Sequence, residues 1–314
     1  MTAGVVTLGE TMGLFRAAEI GSLAQVSDFR LSIGGAESNV AIGLARLGTP
    51  VTWIGRLGAD SIGERVVREL RAENVAVEVT YDETAPTGIM LKEQRTPDAT
   101  RVIYYRSAGA GARLAPEHLP AGLIESASVL HVTGITAALS STALATLDAA
   151  IERANAANVP VSFDVNHRAS LWLGRDARDV YRSIAARATI VFAGLDEAAL
   201  LAEGSTPLGL AEAIAQRGPS QVIIKLGSEG CLALVDGVAY ERDAISIRAL
   251  DTVGAGDAFV AGYLAELLAA LPVADRLDTA VRTGAFACLG PGDWESYAHR
   301  NELLLLEASD PVAR

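Results

Sequence analysis

Short, near-continuously apolar runs rich in valine and isoleucine alternate along this chain with longer stretches of helical period. The runs GVVTLGE (4–10), VTWIGRLG (51–58), SVLHVTGI (128–135), VPVSFDVN (159–166), TIVFAGL (189–195) and QVIIKLG (221–227) read as strands. Apolarity that is continuous rather than alternating suits a parallel strand covered on both faces. Between them, AESNVAIGLARLG (36–48), SIGERVVRELRAEN (61–74) and STALATLDAAIERANAAN (141–158) read as helices, with Val40, Leu44 and Leu47 on one core-facing stripe. Strands that alternate with helices predict βαβ units, and so an α/β fold with a doubly wound, mostly parallel sheet and helices on both faces.

Two segments break the rhythm. Residues 11–33 and about 75–108 are strand-like, the second carrying VEVTYDE, TGIMLKEQ and TRVIYYRSA in succession. They mix apolar and polar positions, as a sheet with one wet face does, and predict a small β lid inserted in a single domain spanning 1–314. The tail EASDPVAR (307–314) reads as frayed.

Composition narrows the function. The balance of 26 basic against 38 acidic residues, a formal charge of −12, argues against nucleic acid and anionic membrane surfaces as partners. A small anionic substrate stays open, since a few local arginines outweigh a global sign. The N-terminal MTAGVVTLGE lacks a basic, then apolar, signal-peptide pattern, and no apolar run reaches the length of a membrane span. Cys231 and Cys288, in apolar surroundings, read as buried reduced thiols of a cytoplasmic protein, without the spacing of a zinc site.

DTVGAGDAF (251–259) carries the candidate chemistry. The run from Asp257 places Phe259, Val260, Tyr263, Leu264, Leu267 and Leu268 on one stripe, predicting an amphipathic helix against the sheet. Gly254, Ala255 and Gly256 then form its first turn, where N–H groups lack intrahelical partners and small side chains admit an anion. Asp257 beside such a cradle admits two readings. It is an acid complementing the helix dipole, the reading that bare spacing favours, or a general base for a hydroxyl attacking a bound phosphate. Other nucleotide signatures are missing: there is no GxxxxGK[ST], no third glycine of GxGxxG, and no HRD or DFG.

The chain resembles the ribokinase-like (PfkB) carbohydrate kinases over nearly its whole length. DTVGAGDAF is similar to the family's C-terminal signature, and GGAESNVAIGLARLG (34–48), followed by IGRLGADSIGERVVRELRAENV (54–75), to its N-terminal one. Within the family, GGAESN, YYR (104–106), LHVTGIT (130–136), DVNHR (164–168) and GDWE (292–295) resemble 2-keto-3-deoxygluconate kinases. The resemblance implies a large α/β body with a β lid, Asp257 as catalytic base, and transfer from ATP, with Mg²⁺, to a primary hydroxyl of a six-carbon sugar acid. It implies sugar contacts at Gly34, Gly35, Asn39, Tyr104, Arg106 and Arg168. Arginine suits a carboxylate through its bidentate fork, although the residues alone favour a surface or ion-paired role for Arg106 and Arg168, and it is the resemblance that turns both toward the substrate. Tyr104 reads as a hydroxyl contact or as lid packing, Gly34 and Gly35 as sugar approach or a tight turn, and Asn39 as a loop anchor or a contact. The nucleotide is expected at Lys225, Gly227, Ser228 and Gly230 of KLGSEG, with Ala285 and Cys288 as an adenine wall.

Two departures bear on this. The family's Asn-x-x-Glu motif, tied to Mg²⁺ and phosphate, is here GLDE: Gly194 stands at the Asn place and Glu197 is kept, reaching metal through water. Met90 stands where keto-deoxygluconate kinases carry a sugar-contacting tyrosine. The alternatives are a sibling kinase for fructose, ribose or adenosine, and a catalytically silent sugar-binding regulator. The open edge of a lid sheet further invites a homo-oligomer.

Overall fold

The strand β1 (Val5–Leu8) lies in the middle of a sheet and determines where the crevice falls. In this computed structural model, which describes residues 4–96 and 99–307, every residue of β1 is buried. The frayed-tail expectation falls, apart from Glu307, outside the described residues. The chain continues through β2 (Met12–Ala17), β3 (Phe29–Gly34), α1 (Ala36–Arg46), β4 (Val51–Gly58), α2 (Ser61–Ala72), β5 (Ala76–Asp82), β6 (Ile89–Thr96) and β7 (Ala99–Tyr105). It then forms β8 (Val129–Thr133), α3 (Gly134–Leu139), α4 (Ser141–Ala156), β9 (Val161–Asp164), α5 (Ala169–Trp172), α6 (Arg178–Ala185), β10 (Ile190–Gly194), α7 (Leu195–Leu201) and α8 (Pro207–Ala215). Last come β11 (Gln221–Lys225), β12 (Cys231–Val235), β13 (Val238–Arg242), α9 (Ala255–Leu268) and α10 (Val273–Ala287).

Among the described residues, nine strands form one sheet in the order β13-β12-β11-β10-β9-β8-β1-β4-β5. All neighbours from β11 to β5 are parallel, and β12 and β13 add an antiparallel edge. Strand alternation splits the core in two. In β10, Ile190 and Phe192 face the layer of α1, α2, α9 and α10, while Val191 and Ala193 face that of α4, α6, α7 and α8. The chain leaves β1 for β4 on one side and later returns to β8 on the other. That reversal opens a crevice at the carboxyl ends of the strands, where ligands of doubly wound sheets bind.

The second sheet, β3-β2-β6-β7, has four strands and packs Met12, Leu14 and Met90 into its own small cluster. It differs from the expected lid in one respect. Residues 76–82 do not join it: β5 pairs in parallel with β4, from Thr52–Ala76 to Gly58–Asp82, and closes the edge of the large sheet. The polar positions that make β5 look lid-like are those of an edge strand. Helix α9 also departs from expectation, since all ten residues from Asp257 to Glu266 are buried. Its intervening positions are alanine and glycine apart from Glu266, which accepts from Thr279 and pairs with Arg300, so it packs on every side rather than along one stripe.

Gly262 marks the tightest point of that packing: a Cβ there would collide with the Thr283 hydroxyl and come 2.9 Å from Ala280 Cα on α10. Gly262→Val is expected to push α9 and α10 apart and cost about 1–3 kcal/mol, read as a lower urea midpoint. An unchanged midpoint would contradict this account of the α9–α10 contact.

Candidate active site

Polar residues collect where the strands of the large sheet end. Glu10 follows β1, Thr133 closes β8, Asp164 closes β9 with Asn166 just beyond, Gly194 closes β10, and Lys225 closes β11. Asp257 meets them from the opposite side, in the first turn of α9. Its carboxylate is gripped at both oxygens: Oδ2 accepts from Asn39 Nδ2 at 2.8 Å and Oδ1 from Asn166 Nδ2 at 3.1 Å. Burial pushes its pKa up to about 7, with the Asp164 charge adding to the rise and the Asn39 hydrogen bond, Arg168 and Lys225 opposing it. The dipole-complementing reading accounts for neither the two amide grips nor the burial.

The turn ahead of Asp257 is shaped by Gly254, in the left-handed region at φ 79°. Side chains rarely adopt that conformation, and the Asp293 carbonyl beside it leaves no room for a Cβ. Tyr297 donates its hydroxyl to the Gly254 carbonyl at 2.6 Å. The first intrahelical bond runs from Ala258 N–H to that same carbonyl at 2.9 Å, and Ala255 N–H turns toward Thr252 O at 3.3 Å. Gly256 and Asp257 N–H precede the first helical bond, as donors at a positive helix end do.

Lys225 extends toward this turn, 3.6 Å from where a Cβ on Gly256 would sit. Its Nζ donates to Asp164 Oδ1 at 2.7 Å. Burial disfavours the Lys225 charge, but the Asp164 and Glu197 carboxylates outweigh it and raise its pKa. Asp164 is raised by burial, against the pull of Lys225, and its Oδ2 is buried without a hydrogen-bond partner. Lys225, Gly227, Ser228, Gly230, Ala285 and Cys288 all line one cavity of about 570 Å³, which also touches Ala255 and Gly256. Ile245, Ile247, Val281 and Phe259 make much of its wall apolar. Gly227 and Gly230 both have positive φ, 60° and 101°, so a turn requirement accounts for these glycines as well.

The residues expected at the sugar separate into several roles. Asn39 does not simply anchor a loop; it is spent on Asp257. Gly34 has Met90 Cε and the Asp293 carboxylate where its side chain would be, and Gly35 has the Glu10 carbonyl, so packing against protein requires both. Met90 is buried in the lid cluster. Arg106 is not a free cation: it is ion-paired to the buried Glu10 through Nη2, while its Nε is buried without a hydrogen-bond partner. Its guanidinium stands 5.5 Å over the ring of Tyr104, which is 42% exposed. Arg168, exposed just before α5, donates to its neighbour His167 O at 3.2 Å.

Glu197 spends both carboxylate oxygens on backbone N–H groups. Its Oε1 accepts from His167 N–H and its Oε2 from Gly194 N–H, both at 2.7 Å, closing the start of α7. Gly194 itself has room, since the nearest atom to an added Cβ is Glu197 Oε2 at 3.4 Å. Among the described residues no three carboxylate, histidine or cysteine side chains group as metal ligands. No helix among them is long and apolar enough to cross a membrane. Sequence reasoning passes over Asn166, Glu10 and Lys92. Asn166 and Glu10 lie at strand ends, and a polar residue just past an apolar strand is the signal that finds them.

Residues 2–299 match the family described as pfkB family carbohydrate kinase. The chain is 35% identical to the 2-dehydro-3-deoxygluconokinase of Bacillus subtilis, covering 96% of this chain and 95% of that protein. It is 33% identical to the 2-dehydro-3-deoxygalactonokinase of Haloferax volcanii, with 93% of each covered. An uncharacterised sugar kinase of Pyrococcus horikoshii, solved in complex with ATP, superimposes with a TM-score of 0.82 at 26% identity, covering 96% of this chain and 97% of that one.

The buried carboxyl of Asp257 has a consequence for stability. Unfolded, it ionises near 4; folded, it keeps its proton up to about 7. Between those values the unfolded chain gives up a proton that the folded chain holds, so stability falls as pH rises across that window. At about 1.4 kcal/mol per unit the loss reaches about 4 kcal/mol. In urea titrations at pH 5 and pH 8, Asp257→Asn is expected to lose less stability than the wild type; parallel losses would contradict the burial argument.

Proposed function

The chain belongs to the pfkB family of carbohydrate kinases, and from that premise we propose that it transfers the γ-phosphoryl group of ATP to a primary hydroxyl of the sugar acid 2-keto-3-deoxygluconate. The observation that carries this reading is the Asp257 carboxylate, buried, held at both oxygens by amides and raised to about 7. A general base works best with a pKa near the operating pH. The sugar hydroxyl oxygen attacks the γ-phosphorus, the bond from that phosphorus to the ADP oxygen breaks, and the hydroxyl proton passes to Asp257. Asn39 and Asn166 hold the carboxylate still while this happens.

The N–H groups of Gly256 and Asp257, with the Gly254 turn behind them, face the oxygens of the moving phosphoryl group and stabilise charge that builds there. Lys225, held by Asp164, presents a point charge beside Gly256. The nucleotide occupies the cavity of Lys225, Gly227, Ser228, Gly230, Ala285 and Cys288, its base against the apolar wall. The unpartnered Asp164 Oδ2 and, through water, Glu197 would hold Mg²⁺, which would supply positive charge against the phosphates. Arg106 and Arg168 receive the sugar carboxylate, Arg106 with its back held by Glu10, beside Tyr104. Two relatives whose names specify deoxy keto sugar acids support an acidic substrate. The same proposal includes a cytoplasmic setting, in keeping with the two unpaired thiols, and self-association along β3 or β7, the open edges of the lid sheet.

A coupled ADP-release assay with 2-keto-3-deoxygluconate, 2-keto-3-deoxygalactonate, fructose, ribose and adenosine tests the reading. The keto acids are expected to turn over well above the neutral acceptors. Arg168→Ala should lower kcat/KM for the acid by about tenfold to a hundredfold, the size of a lost charged hydrogen bond. Faster turnover of a neutral sugar, with Arg168→Ala silent, would overturn the substrate. Asp257→Asn should lower kcat by about 10²–10⁴-fold with ATP binding little changed; near-normal turnover would remove Asp257 as base.

A further inference from the structure

Lys92 has its ammonium inside the protein. It sits on β6 of the lid, two residues after Met90 and on the same inward face, with its side chain 3% exposed. A lysine is seldom withdrawn from water unless opposite charges meet it. Here two carboxylates from separate segments of the body do so: Asp251 Oδ2 at 2.7 Å and Asp293 Oδ1 at 3.5 Å.

Both carboxylates belong to the walls of the Gly254 turn. Asp251 begins DTVGAGDAF, and its Oδ1 accepts from Val253 N–H at 3.1 Å, fixing the approach to Gly254. Asp293 packs its carbonyl directly against Gly254 while its carboxylate faces Gly34. The segment it begins is tied to both sides, through Trp294 Nε1 to Ile33 O at 2.9 Å and Tyr297 OH to Gly254 O at 2.6 Å. One lid ammonium therefore bridges the strand that carries Met90, the loop at Gly34 and the turn that aims the first N–H groups of α9.

We propose that Lys92 is a positioning residue for phosphoryl transfer, which joins the lid to the Gly254 turn through Asp251 and Asp293 and so sets the aim of the Gly256 and Asp257 N–H groups and of the base. Lys92 touches no reacting atom. Without its ammonium, two like charges, Asp293 buried and Asp251 half-buried, face each other and spread the turn. The inference rests on the reading of Gly254–Asp257 as the transfer site.

The test compares Lys92→Met, Lys92→Arg and the double variant Lys92→Met/Asp293→Asn in the full chain. Lys92→Met is expected to lower kcat roughly a hundredfold while KM for 2-keto-3-deoxygluconate and Kd for ATP move less than about threefold, the pattern of lost alignment rather than lost binding. Lys92→Arg, which keeps the charge, should recover most of kcat. Amide hydrogen exchange at 251–256 should quicken in Lys92→Met and return toward wild type in Lys92→Arg. The double variant removes one of the stranded carboxylates and so guards against simple misfolding; it should keep a cooperative melt yet still exchange fast at 251–256. Unchanged kcat and exchange in Lys92→Met would overturn the proposal. So would a loss confined to the KM of the sugar, or a folded double variant with wild-type exchange. A wild-type protein inactive on the whole sugar panel would sink the transfer-site reading, and the exchange arm would still decide whether Lys92 orders the turn.

Discussion

The grip of Asn39 and Asn166 on Asp257 is the constraint around which the site is arranged. Asn39 comes from α1, Asn166 from just beyond β9, and Asp257 from the mouth of α9. For these groups to meet, α1 and α9 must lie on the same face of the sheet with their first turns over the strand ends. The alanine and glycine surface of α9 permits that closeness, and Gly43 of α1 packs where Ala261 of α9 would otherwise clash. A carboxylate so enclosed loses water, and its affinity for a proton rises as a direct result.

Three cations around the crevice, Arg168 excepted, follow one pattern. Arg106 is backed by Glu10, Lys225 by Asp164, and Lys92 by Asp251 and Asp293. Burial raises the pKa of Glu10, Asp164 and Asp293, the last to about 6, against the pull of each partner cation. Each acid fixes its cation in place before a ligand arrives, which spares the entropy of ordering a long side chain on binding. That is how a chain of formal charge −12 keeps localised positive groups at this crevice. Global charge describes the surface, and these pairs describe the crevice.

Much of this was legible in the chain and some was not, for physical reasons. Continuous apolar runs located the parallel strands because a strand covered on both faces has no other way to be written. The lid boundary at 76–82 is not legible from pattern, since an edge strand of a covered sheet carries the same mixed pattern as a strand with one wet face. The full burial of α9 is not legible either, because alanine and glycine pass for neutral spacers although they allow packing on all sides. DTVGAGDAF marks the turn and Asp257, but spacing alone does not tell a helix-start acid from a gripped one; only the long-range partners Asn39 and Asn166 decide that. Lys92 was invisible for the same reason. Alternation on β6 places its side chain on the inward face, yet its acids lie more than a hundred residues away in sequence.

Infrared difference spectroscopy of the Asp257 carboxyl, wild type minus Asp257→Asn across a pH titration, tests the central claim most directly. The enclosed carboxyl is expected to show a protonated band that gives way to carboxylate near pH 7. A carboxylate already ionised near pH 4, the ordinary value for an exposed aspartate, would contradict it.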